Sequence, residues 1–227
     1  ASLPQGAARR TLALRIKLKA SRHAHQTQDA LDTARLLGKH RAFSAAAAQS
    51  IVRGLAMELI DGAHDPAQLQ QVWQSLENSE RAMPELAVHA AQRLASLGGE
   101  RALVRHWLLP AWQQMVDNPG ALAGHHALKL VRALEAGLDA LDAPWLARIE
   151  TAAQANPRDA RLQYLAGMAC LQRQLWGKAQ QLLTQSTQQL QDASLRRSAW
   201  QRLAELAEQR GDSHAAAQAW KSAALAD

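Results

Sequence analysis

The stretch from 156 to 227 repeats at an offset of 37 positions: Gln163, Gly167, Ala179 and Leu183 recur as Trp200, Ala204, Ala216 and Trp220. Both copies run as an apolar-periodic segment, a short break, and a second segment opening on Lys178-Ala179 or Ala215-Ala216. In the second copy the break is Gly211-Asp212, a helix stop followed by a helix start. Small residues recur where two helices must cross closely, and large apolar ones recur at the flanks. A hairpin of this length cannot bury its own apolar face, so it must stack on neighbours. Stacked hairpins present long binding surfaces and seldom catalytic ones.

Composition points the same way. Apolar residues make up 48% of the chain, and Ala and Leu dominate them. Those two residues cost least in a helix, whereas strands favour β-branched and aromatic side chains. The expected fold is all-α: a right-handed superhelical array of about twelve helices in six hairpins. The array is read as one domain over 1–227, with degenerate hairpins over 1–155 and two more regular ones over 156–227.

Residues 7–24 read as the first helix, although Leu12, Leu14, Ile16 and Leu18 alternate as a strand would. Further helices are expected over 27–38, 41–61, from Asp65-Pro66 onward, from Met83-Pro84 to Gly98, and over 100–117. Asp65 before Pro66 is an N-cap followed by a first-turn proline. Pro110 should kink or divide its helix, and Asn118-Pro119-Gly120 reads as a loop. The last six helices are expected near 121–141, 144–155, 159–173, 175–191, 194–210 and 213–226.

Charge is concentrated at one end. Residues 1–53 hold ten Lys/Arg against Asp29 and Asp32, a net +8, while the whole chain is +6. A localised basic patch suits an acidic partner, an anionic lipid surface or a nucleic acid. The nucleic-acid reading is the weakest, because Phe43 is the only aromatic in that quarter and stacking platforms are missing. One cysteine, Cys170, excludes an intramolecular disulfide, and its packing position predicts a buried, inert thiol. No run of about 18 apolar residues exists to span a membrane.

No catalytic constellation is visible. There is no CxxC, CxxCH or HExxH, so most of the nine histidines are read as solvated and no metal site is assigned; the pairs His23/His25 and His125/His126 are the candidates a ligand role would fall to. Most of the seven tryptophans are read as core, with Trp112 and Trp176 partly exposed near helix breaks.

The C-terminal hairpins resemble tetratricopeptide repeats. Trp200, Leu203, Ala204, Ala207, Gly211, Ala216, Trp220 and Ala223 fall on that repeat's spacing. Gln163, Ala166, Gly167, Cys170, Ala179, Leu183 and Ser186 do so less faithfully. Pro157 matches the proline that closes a preceding repeat. The resemblance implies a concave face lined by the first helix of each hairpin. Carried across, the partner-binding groove is Arg161, Tyr164, Met168, Leu171 and Gln172, then Ser198, Gln201, Glu205, Glu208 and Gln209.

Nearly the whole chain also resembles the soluble part of the HemY family. The likeness is carried by Leu69…Trp73-Gln74-Ser75-Leu76, by Met83-Pro84-Glu85-Leu86, by Trp107-Leu108-Leu109-Pro110-Ala111-Trp112, and by the two closing hairpins. It implies a non-enzymatic organiser of late protohaem synthesis at the inner membrane. Its partners would be enzymes such as ferrochelatase, and two membrane helices would lie ahead of Ala1. Arg9, Arg10, Arg15, Lys17, Lys19 and Arg22 would then face anionic headgroups, which places the domain on the cytoplasmic side. No cofactor is required on this reading. The alternative is a haem or porphyrin carrier passing the tetrapyrrole between enzymes. The unrelated flavin oxidase that shares the family's name is excluded, because no GxGxxG fingerprint exists.

Overall fold

A computed structural model describes residues 5–118, 120 and 122–226. Helices account for 79% of the described residues, and no strand occurs among them. The all-α expectation holds, and the alternating run at Leu12–Leu18 is helical. No helix among the described residues is long and apolar enough to cross a membrane.

The chain divides into two compact units, residues 1–111 and 112–227. The first comprises α1 (Gln5–His23), α2 (Thr27–Lys39), α3 (Ala45–Asp61), α4 (Pro66–Ser75), α5 (Asn78–Arg81), α6 (Pro84–Ser96) and the start of α7 (Arg101–Asp117). Here α1 packs on α2, α2 on α3, and α3 on α4 and α6. The expected start of the third helix at 41 is corrected to Ala45. Ser44 caps it, its hydroxyl accepting from Ala47 N at 3.3 Å, and Arg41 before it is left-handed at φ 51°. Asp65 caps α4 as expected, with Pro66 in the first turn. The short helix α5 was not legible in the sequence. Glu77 and Glu80 form its reciprocal capping box, and Glu80 is buried at 3% exposure beneath Arg35 of α2. Trp73 of α4 stacks on Trp107 of α7 with ring centroids 4.7 Å apart.

Pro110 does not divide α7, which runs through it. The lost backbone bond falls beside the division between the units, at Ala111–Trp112.

The second unit continues through α8 (Gly124–Glu135), a 3₁₀ turn (Leu138–Ala140), α9 (Ala143–Ala155), α10 (Ala160–Gln172), α11 (Trp176–Thr187), α12 (Ala193–Gln209) and α13 (Ser213–Ala224). The helix expected over 121–141 ends instead at Glu135; the chain then turns through Gly137 into the 3₁₀ segment. Residues 119 and 121, within the expected loop and helix start, lie outside the described residues.

α10 pairs with α11 and α12 with α13, while α11 also packs on α12 and α10 packs on α8 and α9. The two hairpins keep the 37-residue offset in their boundaries: α10 and α12 end at Gln172 and Gln209, and α11 and α13 begin at Trp176 and Ser213. The offset also orders the packing. Ala179 and Leu183 are fully buried, as is Ala204, and Ala216 is nearly so. Gly167 is buried where α10 crosses α11; a Cβ there would sit 2.7 Å from Leu183 Cγ. Gln163 is buried too, but its amide is satisfied by donating to Ala153 O at 2.7 Å. Trp220 departs from the pattern. It stands where Leu183 is covered, yet is 39% exposed on the last helix.

Candidate partner-binding clefts in the C-terminal unit

Three helices, α8, α10 and α12, carry the side chains that shape this face. On α8, Arg132 donates to Glu135 Oε2 at 2.8 Å and reaches α12, where Nη2 donates to Ser194 Oγ at 2.7 Å. Nη1 lies 3.4 Å from Ser198 Oγ. Beneath this bridge, Tyr164 of α10 donates its phenol proton to Glu135 Oε1 at 2.6 Å. Burial first, and then the Glu135 charge, hold the phenol well above its usual pKa. This network locks the face where the sequence reading expected an open groove.

Two clefts flank it. The larger, of about 1000 Å³, lies where α8, α10 and α12 begin. Ala155 at the end of α9, Pro157 and Leu190 from the connecting loops and Leu128 of α8 give it apolar walls, while His125, Arg158, Arg161, Asp159 and Asp192 add polar and charged groups. The two aspartates cap α10 and α12. Burial alone would raise the Asp192 carboxyl, but hydrogen bonds from Ser194 and Leu195 and the charge of Arg132 bring it below its usual value. The smaller cleft, about 160 Å³, is enclosed by Met168, Leu171 and Gln172 of α10, Trp176 of α11, and Arg202, Glu205, Leu206 and Gln209 of α12.

The groove residues read from the sequence are therefore only partly gathered. Met168, Leu171, Gln172, Glu205 and Gln209 meet around the smaller cleft. Arg161 lines the larger one, its guanidinium paired with Asp159 at 3.0 Å. The expectation that Tyr164 and Met168 point outward is corrected. They are 0% and 5% exposed, because α8 and α12 close over α10 through Arg132. Ser198 is half-buried beside that arginine, and Gln201 is exposed but borders neither cleft. Glu208 is turned toward α13, accepting from Trp220 Nε1 at 2.7 Å.

The sequence reading missed Arg132 and Glu135, whose roles depend on distant helices meeting: Arg132 reaches Ser194, 62 residues on, and Glu135 accepts from Tyr164, 29 residues on. It also missed the larger cleft, which is built from loop residues and the starts of separate helices. Trp176 is 40% exposed, as expected beside a helix break. Trp112 is not: it is 3% exposed and meets the edge of Trp145 at 6.1 Å.

The six basic residues of α1 are all exposed, but they encircle the helix and do not share one face. At 3.6 residues per turn, Arg10 and Lys17 lie opposite Lys19. Arg15 is engaged locally, donating to Ala42 O at 2.7 Å with its guanidinium 5.3 Å from the Phe43 ring centre.

Among the described residues no group of three or more His, Cys, Asp or Glu converges as a metal site would need. His125 and His126 lie ring to ring at 3.8 Å. Cys170 is fully buried, as expected, and burial followed by the nearby Glu150 charge pushes its thiol up to about 11.

A scan against protein-family descriptions finds no match, and a search of curated protein sequences finds none either.

Proposed function

We propose that the C-terminal unit holds a segment of a partner protein and that the chain is a non-enzymatic interaction scaffold. The observation that carries this reading is the cleft of about 1000 Å³ between the starts of α8, α10 and α12. Its apolar walls and charged rim suit a peptide that buries a few side chains and is oriented by its ends. The smaller cleft, toward the ends of α10 and α12, offers a second anchor point at Leu171 and Trp176. These two replace Tyr164 and Met168 as the anchors of choice, since a covered side chain cannot receive a partner.

The likeness to the HemY family supplies the setting of this proposal. The partner is then an enzyme of late protohaem synthesis, ferrochelatase first, and the place is the inner membrane, with the Arg15, Lys19 and Arg22 side of α1 toward anionic headgroups. The test is capture of purified ferrochelatase by the immobilised protein. Leu171→Ser with Trp176→Ser should weaken capture tenfold or more, about 1.4 kcal/mol, and so should Arg158→Glu. Melting should change little, because Leu171 is half-buried and Trp176 and Arg158 are exposed. Unchanged capture by all variants would overturn the cleft assignment. Turnover of a porphyrin by the protein alone would overturn the scaffold reading.

A further inference from the structure

The N-terminal unit contains a cleft with a different chemistry. It has a volume of about 510 Å³ and lies between α1 and the loop joining α2 to α3. Arg15, Lys19, Arg22 and His23 line it from α1, with Leu18 and Phe43 as its apolar part. The four polar residues fall at i, i+4, i+7 and i+8, one side of a helix. Among the described residues no carboxylate lines the cleft. Glu58 lies 3.9 Å from Arg22 Nη2, with both side chains more than half exposed, a pairing of small energetic weight.

Arg15 is not a loose surface cation. Its hydrogen bond to Ala42 O and its position over Phe43 fix the guanidinium at the mouth of the cleft. That leaves Lys19 and Arg22, and a ring nitrogen of His23, to supply further donors to an anion. Guanidinium and ammonium groups lining one cleft suit a phosphate, whose several oxygens can accept from more than one of them. The Phe43 ring and Leu18 side chain beside them favour an apolar or aromatic group attached to that phosphate.

We propose that this cleft binds a phosphomonoester carried on an apolar body. A soluble aryl or alkyl phosphate and the headgroup of an anionic lipid share that chemistry. The proposal does not depend on the partner-binding clefts, so the two readings fail separately.

The experiment uses the whole chain and two probes. Calorimetric titration with 1-naphthyl phosphate, with inorganic phosphate as reference, addresses the soluble source. Co-sedimentation with phosphatidylcholine vesicles doped with phosphatidic acid addresses the lipid source. Lys19→Ser with Arg22→Ser removes two cleft cations. Arg10→Ser with Lys17→Ser removes the same charge from the far side of α1. Circular dichroism confirms that both variants stay helical. The expected result is binding of at least one probe that falls tenfold or more in the cleft variant and stays near wild type in the far-side variant. Phe43→Ser should erase any preference of naphthyl phosphate over inorganic phosphate. Soluble binding assigns a free ester, and vesicle binding alone assigns a headgroup. Failure of both probes, or equal loss in the two double variants, would overturn the site, the latter by reducing it to diffuse surface charge.

Discussion

Gln174 and Gly211 stand 37 positions apart and adopt the same left-handed backbone, φ 57° and 75°. Each closes the first helix of its hairpin in the same way. Gln174 N donates to Leu171 O and Leu175 N to Cys170 O; Gly211 N donates to Glu208 O and Asp212 N to Ala207 O. The repeat is thus conserved in backbone geometry where the side chains differ.

The cost of that geometry differs between the copies. Glycine adopts the left-handed region freely, while a residue with a Cβ is disfavoured there by roughly 1–2 kcal/mol. Gly211→Ala should therefore lower stability by about 1 kcal/mol, with no steric part, since nothing lies within 4 Å of an added Cβ. Gln174→Gly should stabilise by up to about 1 kcal/mol, less the entropy glycine adds to the unfolded chain. Chemical denaturation of both variants checks the opposite signs.

Gly167→Ala should destabilise despite the better helix propensity of alanine. The new Cβ would meet Leu183 Cγ at 2.7 Å and Leu183 N at 3.2 Å, and the backbone atom cannot rotate away. Overpacking of this kind costs about 1–3 kcal/mol, against roughly 1 kcal/mol gained in propensity. A double-mutant cycle with Leu183→Ala should show non-additivity, the two changes together costing less than their sum.

Arg35 and Glu80 form a shielded pair, with Nη2 to Oε2 at 2.6 Å and Nε to Oε1 at 2.8 Å. Glu80 also accepts from Glu77 N at 2.8 Å. Glu80→Ala should cost about 2–4 kcal/mol, because it removes the buried partner of Arg35 and the α5 cap, while Asp32, 2.8 Å from Arg35 Nη1, still offsets part of the charge. Replacing both members with apolar residues, Arg35→Met with Glu80→Leu, should cost less than Glu80→Ala. Thermal melts of the three proteins provide the comparison.

Tyr164 is the only tyrosine in the chain, so phenolate absorbance reports it alone. Burial raises its pKa in the folded state, while in the unfolded chain it titrates near 10. The unfolded state therefore loses the proton first, and stability present below about pH 10 falls as pH rises beyond it. In native protein the phenolate signal should be delayed relative to protein in denaturant. Tyr164→Phe should cost about 1.5–3 kcal/mol at neutral pH through the lost bond to a carboxylate, and should remove part of the alkaline loss. The Cys170 thiol, pushed up to about 11, adds its own share above its usual value and stays in the variant.

Short-range patterns along the chain specify the helical class, most helix boundaries and the register of the closing hairpins. These depend on local chemistry: Asp65, Asp159 and Asp192 capping α4, α10 and α12, Gly211 ending α12, and small residues at a fixed spacing. Tertiary structure alone decided which faces are open. Leu183 and Trp220 hold equivalent places in the repeat, yet Leu183 is fully buried where α12 packs on α11, while Trp220 is 39% exposed on α13. Tyr164 sits at an outward-facing repeat position and is sealed by Arg132, 32 residues earlier, reaching Ser194, 30 residues later. Exposure is a property of neighbours distant along the chain, whereas helix formation and capping are settled within a few residues.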